Sequence, residues 1–339
     1  MSYTDNNEKY LKEAIIKTVA FFDLFKYPLT VLEVYKYLYA PGGVGKGIAE
    51  VEQSLGELSR ENILSQKNGF YFLKGREEIA AERQKRYNRS GRKIKEAKKI
   101  IRVFSALPWI KMIALGNVMG PRNFKKESDI DFFIVAEKNR IWITRFFSAG
   151  LAALLGLRPR EGRTEDKICL SFFMSEDCLE LSALSDSPEL LSGADGSAAG
   201  SRPADIYFVY WLAGLTPLYD RGDIFRKLHK SNPWLKRCLP NVEACLLAKE
   251  DRFERPLLAA IAGKFIGLLT GWSEPLAKRI QLKVFPPAIR EKINQGTEVV
   301  VNDRVIKLHV NDRRIKYRLR WESKVCQALA KTDKPRSQT

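Results

Sequence analysis

Cysteine is scarce in this chain, with five in 339 residues, an odd number, and no two stand as a Cys-x-x-Cys pair. Cys169, Cys178, Cys238, Cys245 and Cys326 therefore read as small hydrophobes in a reducing compartment, which excludes a disulfide framework and a cysteine zinc site. The opening MSYTDNNEKY is polar and acidic, so no secretory signal is expected there and a cytoplasmic location is the expectation. The longest apolar run, Pro256 to Trp272, contains Lys264 and falls short of a bilayer span, so no integral membrane segment is expected. A phosphate loop is also missing. In PGGVGKG the first glycine that Gly-x-x-x-x-Gly-Lys requires is Ala40, and Gly47 stands where Ser or Thr would reach magnesium. No internal repeat is evident.

Positive charge and apolar residues are plentiful. Lys and Arg number 58 against 40 Asp and Glu, a net charge of +18, which argues for a polyanionic partner: nucleic acid, nucleotide or an anionic membrane surface. Hydrophobic residues make up 45%, enough for a sizeable core and for two or three domains.

Residue order implies chemistry most clearly from Gly116 to Val135, GNVMGPRNFKKESDIDFFIV. An apolar run, Met112 to Leu115, meets Gly116-Asn117; a polar loop follows, and then Asp129 and Asp131 alternate with Ile130, Phe132 and Ile134. Period-two alternation is strand spacing, so both carboxylates are expected on one face. Held that close they repel as anions and make a site for a hard divalent cation, Mg²⁺ or Mn²⁺. The glycine lets backbone approach a ligand, and the turn after it can aim N–H groups at phosphate. An Asp-x-Asp alone is commonly a solvated strand edge; the glycine turn upstream and the apolar alternate positions are what favour a site.

These residues resemble the signature of the DNA polymerase β-like nucleotidyltransferase superfamily: Leu115-Gly116-Asn117, eleven residues, then Asp129-Ile130-Asp131, with Ser128 before the pair. Asn117 departs from the Ser or Gly usual after that glycine. The resemblance implies a mixed-sheet core, Asp129 and Asp131 as catalytic metal ligands, and a nucleoside triphosphate cradled by Gly116, Asn117 and Ser128. It implies transfer of a nucleoside monophosphate to a hydroxyl of a nucleic acid, a protein or a small molecule. It also implies a third carboxylate from a later strand. In KICLSFFM, residues 167–174, the facing positions are Cys169 or Ser171, with Asp166 before the strand and Glu176 or Asp177 after it. Without that carboxylate the alternative is a catalytically degenerate member acting as a nucleic-acid-binding or regulatory module.

The expected fold class is α+β and multidomain. Residues 1–74 give three amphipathic helices and a hairpin around Asn68-Gly69, an order that resembles a winged helix, in which Thr30 caps the second helix. Its third helix carries Glu50, Glu52, Glu57 and Glu61 against Arg60 alone, a poor face for phosphate. Residues 75–105 form a basic connecting helix; the stretch 74–102 holds twelve basic and four acidic residues and reads either as a solvated connector or as a phosphate-contacting arm. The nucleotidyltransferase-like core covers 106–185, and its apolar helix 140–157 carries Arg140 and Arg145, candidates for the triphosphate by charge-assisted bonding. A flexible loop, 186–204, leads to a helical subdomain, 205–290, with Asp205 to Leu218 expected as one helix whose Tyr207, Tyr210 and Trp211 serve either as core or as a base-stacking wall. Residues 291–330 are expected as a basic β-hairpin and helix, with His309 and Asp312 a candidate general base, and 331–339 as a disordered tail.

Overall fold

The computed structural model describes residues 3–43, 46–116, 123–159, 165–188, 191, 205–243 and 273–332. Its first unit is α1 (Tyr3–Asp23), α2 (Val31–Lys36) and α3 (Ile48–Arg60), followed by β1 (Leu64–Lys67) and β2 (Phe70–Leu73). Thr30 and Glu33 cap α2 reciprocally, the Glu33 amide donating to Thr30 Oγ1 at 3.2 Å and the Thr30 amide to Glu33 Oε2 at 3.0 Å. Asn68 and Gly69 both have positive φ, 53° and 78°, the two-residue turn whose twist suits an antiparallel hairpin. A single bridge between Leu29 and Tyr71 ties the hairpin back to the helices.

The long helix α4 (Glu78–Phe104) then leads to a six-stranded mixed sheet. It contains β3 (Ile110–Leu115), β4 (Ile130–Ala136), β5 (Ile168–Ser175), β6 (Thr216–Asp220), β7 (Val299–Val301) and β8 (Val305–Leu308), in the order β6-β3-β4-β5-β8-β7. Only β4 and β5 pair in parallel; the other neighbours are antiparallel. Among the described residues the remaining α-helices are α5 (Ile141–Leu154), α6 (Ile206–Ala213), α7 (Ile224–Ser231), α8 (Trp234–Cys238), α9 (Glu274–Val284), α10 (Pro287–Arg290) and α11 (Arg314–Thr332).

Strand alternation sorts the sheet into two apolar faces. Met112, Ala114, Phe133, Val135, Phe172 and Met174 join α6, α7, α8 and the helices of the first unit in one continuous core. Ile113, Leu115, Phe132, Ile134, Phe173 and Ile306 pack with α4, α5 and α9 in a second. Each large side chain so buried contributes about 1.5–3 kcal/mol, so the first unit is held to the sheet side of the molecule by the same effect that holds the sheet together. Tyr210 shows the join: its ring stacks on Phe21 at 4.3 Å and its hydroxyl donates to the Tyr37 carbonyl at 2.9 Å.

Two expectations change. Asp205 to Leu218 is not one helix, because Gly214 ends α6 and the chain turns into β6. Pro217 cannot extend a helix but is tolerated in β6, an edge strand of the sheet. The C-terminal hairpin does not stand apart either: β8 pairs with β5, Phe172 opposite Lys307, and so extends the central sheet. The helices expected beyond Glu243 and before Ser273, most of the loop 186–204 and the tail beyond Thr332 lie outside the described residues. No helix of the described residues is long and apolar enough to cross a membrane.

Candidate functional site

The Asp pair forms where the sheet brings the ends of three strands together. β3 and β4 pair with Leu115 opposite Phe132, which sets Gly116 against Asp131; the Gly116 amide donates to the Asp131 carbonyl at 2.9 Å. A Cβ at Gly116 would stand 3.3 Å from the Trp211 indole nitrogen and 3.7 Å from Asp131 Cβ, so the corner is glycine because the indole and the aspartate close over it. On the other side β5 places Cys169 opposite Asp131, and the register slips immediately after, between Asp131 and Phe133. Ligand-type atoms of Asp129, Asp131 and Cys169 lie within 4.8 Å of one another. Both carboxylates therefore leave on the same side, with the glycine corner beside them.

Electrostatics at the pair follow from this crowding. Burial, and then the neighbouring Asp129, push the Asp131 carboxyl up to about 7, and burial raises Asp129 as well. Burial and the adjacent Asp131 push the Cys169 thiol up to about 12, so it is a neutral thiol whose Sγ donates to Ser171 Oγ at 3.2 Å. Ser171 Oγ in turn is 2.9 Å from His309 Nε2. His309 is depressed to about 4, by burial first and then by the Lys307 ammonium, so at neutral pH it is uncharged and a weak base.

None of the three carboxylates considered for the third position joins the pair. Asp166, at a positive φ of 58°, is 3.6 Å from Lys93 Nζ and 3.2 Å from Arg92. Glu176 and Asp177 lie at the far end of β5, where Lys111 Nζ is 3.4 Å from Glu176 and Ser175 Oγ donates to Asp177. Among the described residues the third group at the pair is the Cys169 thiol. His309 and Asp312 also fail to combine as a base and its partner, because Asp312 is committed to Arg314, accepting its Nε at 2.7 Å and its backbone amide at 2.9 Å.

The flanking candidates divide. Asn117 lies outside the described residues. Ser128 turns its hydroxyl to the Lys125 carbonyl at 3.0 Å, and its own carbonyl accepts from the wholly buried Lys93. Arg140 and Arg145 are not brought to the pair. They follow the C-terminal end of β4 while the aspartates sit at its N-terminal end, about 17 Å away at the rise of a strand. Arg145 donates to Gln281 Oε1 at 2.5 Å and lies over the Phe285 ring, locking α5 to α9. Arg83, Arg86 and Lys93 of the basic helix are buried as well: Arg83 pairs with Glu33 and stacks on Tyr27, and Arg86 donates to the Phe25 carbonyl and to Asn123.

A cavity of about 240 Å³ adjoins the pair, and Gly116, Asp131 and Ser171 are among its lining residues. Its wall is aromatic, from Tyr207, Phe208, Trp211 and Tyr317, and its remaining lining includes Lys307, His309, Asn311, Arg313 and Arg314. Tyr207 and Tyr317 stack with planes 8° apart at 5.3 Å, and Trp211 stacks between Phe172 and Phe208. Of the three aromatics singled out on α6, Tyr207 and Trp211 therefore line the cavity while Tyr210 belongs to the core. Arg314 fixes this wall: it donates to Asp205 Oδ2 at 2.9 Å, to the Leu184 carbonyl at 2.8 Å and to Thr297 Oγ1 at 2.7 Å, and Asp205 caps α6 by accepting from the Phe208 amide. Tyr317 and Lys307 had no signal of their own in the sequence; they reach the cavity because β8 lands next to β5. No protein-family model, no curated protein and no solved structure matches this chain, so the reading of the site rests on its residues.

Proposed function

We propose that this protein is a nucleotidyltransferase-type protein that binds a nucleoside triphosphate together with Mg²⁺ or Mn²⁺ and moves the nucleoside monophosphate to a hydroxyl acceptor. One observation carries the reading: a glycine corner and two same-side aspartates meet beside a cavity walled by stacked aromatic rings. The donor set fits a hard divalent cation, because Asp129 and Asp131 offer oxygen and the elevated Asp131 reports a buried, crowded anionic pair. When bound, such a cation neutralises charge on the phosphates. The chain's own parts are the Gly116 corner beside Asp131 and an aromatic wall of Tyr207, Trp211 and Tyr317 against which a base can pack.

A second reading, nucleotide binding without turnover, is favoured by Cys169. A neutral thiol at the register position opposite Asp131 neither binds a hard second cation well nor accepts the acceptor's proton. Nucleic acid as the acceptor draws on the chain's net +18 charge, not on α3, whose Glu57 and Glu61 are engaged by Lys12 at 2.9 and 3.2 Å.

Incubation with labelled nucleoside triphosphates and Mg²⁺ or Mn²⁺ separates the readings. Transfer or self-modification that disappears in Asp129→Asn with Asp131→Asn supports the enzyme. Cation-dependent nucleotide binding with no transfer to any acceptor supports the second reading, and no nucleotide binding at millimolar concentration removes both.

A further inference from the structure

We propose that Arg313 is the phosphate-gripping residue of the cavity, so that the ligand enters with its anionic tail at the mouth between Arg313 and the Asp pair. The inference takes the nature of its ligand from the nucleotide reading above, but the cation itself is assigned by elimination among the cavity's own charges.

Three cations line the cavity: Lys307, Arg313 and Arg314. Arg314 is spent on the fold, with each of its nitrogens donating to Asp312, Asp205, the Leu184 carbonyl or Thr297. Lys307 is buried, donates to the Thr297 carbonyl and stands 3.7 Å from Asp312. Arg313 differs from both. Its side chain is exposed, it lines the cavity, and it makes no hydrogen bond or ion pair with any described residue. Its backbone is nevertheless fixed, because it lies between Asp312 and Arg314, which pair with each other, and its carbonyl accepts from the Tyr317 amide at the start of α11.

A guanidinium held on a rigid base with its donors free is built for a planar, multi-oxygen anion, which it meets through two parallel N–H bonds. The Asp pair, of which Asp131 also lines the cavity, selects the kind of anion. Asp129 and Asp131 repel a bare carboxylate but accept a polyphosphate that brings its own divalent cation. The cavity also has an aromatic side, the stacked Tyr207 and Tyr317, and Tyr317 is on the same helix that follows Arg313. At about 240 Å³ the cavity is smaller than the ~300–1,000 Å³ of most small-molecule clefts, so a triphosphate cannot be swallowed whole and its tail must sit at the opening. Arg313 takes the place that Arg140 and Arg145 cannot reach.

The test is titration calorimetry of the full chain with ATP, inorganic tripolyphosphate and adenosine, each with and without Mg²⁺. Arg313→Gln removes the charge, Arg313→Lys keeps the charge without the fork, and Arg279→Gln, at an exposed residue of α9 outside the cavity lining, matches the change in net charge. Arg313→Gln is expected to weaken ATP and tripolyphosphate at least about tenfold, the loss of a charge-assisted bond, and to leave adenosine unchanged. Arg313→Lys should fall between, and Arg279→Gln should stay within about twofold of the parent, as a distant, screened charge does. Equal weakening of ATP by Arg313→Gln and Arg279→Gln, or a parallel loss of adenosine, overturns the assignment, as does a parent that binds neither ATP nor tripolyphosphate. A parent that binds tripolyphosphate through Arg313 but shows no preference for ATP upholds Arg313 while removing the nucleotide reading.

Discussion

Replacing Asp131 by asparagine should stabilise the protein in the absence of a divalent cation, and the size of the effect follows from the geometry. The carboxyl sits within 4.8 Å of Asp129 and Cys169 in surroundings that exclude much of the solvent, and it ionises at about 7, well above the ordinary 3.8. Because the folded value is the higher one, its contribution to stability is fully present below about pH 3.8 and is lost as pH rises to 7. By pH 8 the ionised carboxylate has cost the fold up to about 4 kcal/mol relative to an unshifted group. Asparagine keeps nearly the same shape and cannot ionise, so the variant escapes that cost. In EDTA at pH 8, Asp131→Asn should melt several degrees above the parent, and the gap should close toward pH 4. Saturating Mg²⁺ or Mn²⁺ should close it from the other direction, by stabilising the parent more than the variant. Thermal melts at pH 4 to 8, in EDTA and with each cation, measure all of this. A variant that melts below the parent at pH 8 in EDTA, or a gap of constant size across the range, would refute the idea that the pair is a cation site held ready at the expense of stability.

Three more outcomes follow from the same structure. Cys169→Asp puts a carboxylate opposite Asp131; it should lower the melting temperature in EDTA, raise Mn²⁺ affinity about 10- to 100-fold and raise any transfer rate, and unchanged Mn²⁺ binding in calorimetry would count against the register described here. Arg314→Ala leaves Asp205 and Asp312 without their partner and should cost about 3–5 kcal/mol by urea denaturation; a loss under about 1 kcal/mol would show that the guanidinium does not organise the cavity wall. Lys93→Glu should abolish folding, because the side chain is wholly buried against Ser128, whereas Lys95→Glu on the exposed side of the same helix should fold normally by circular dichroism.

The parts of the molecule that local order dictates were legible. Asn68-Gly69 announces its hairpin, Thr30 its cap, and the spacing from Gly116 to Asp131 brings the corner and the pair together as the alternation requires. The parts that depend on distant pairing were not. Nothing in residues 299–308 says that their hairpin joins β5, so Lys307 and His309 do not look like neighbours of Ser171 until the sheet is assembled. The basic helix misled for a related reason. Counting its charges suggests a solvated arm, yet Ile79, Ala80, Ala97, Ile100, Ile101 and Phe104 mark a helical stripe that also runs through Arg83, Arg86, Ser90 and Lys93, and that periodicity shows which cations turn inward. Arg140 and Arg145 could have been set aside from the sequence too, since a helix that starts where a strand ends begins a full strand length from the residues at the strand's beginning.

The pairing of Phe172 with Lys307 has a consequence for biosynthesis. A ribosome delivers the glycine corner and both aspartates before β8, the strand that covers the far edge of β5, and before Arg313 and Tyr317 that follow it. A nascent chain thus carries an exposed edge on β5 and an unfinished ligand cleft until β8 has been made. Shortened forms ending before β7 would be open at that edge, and should associate with one another through it rather than fold to a smaller working version.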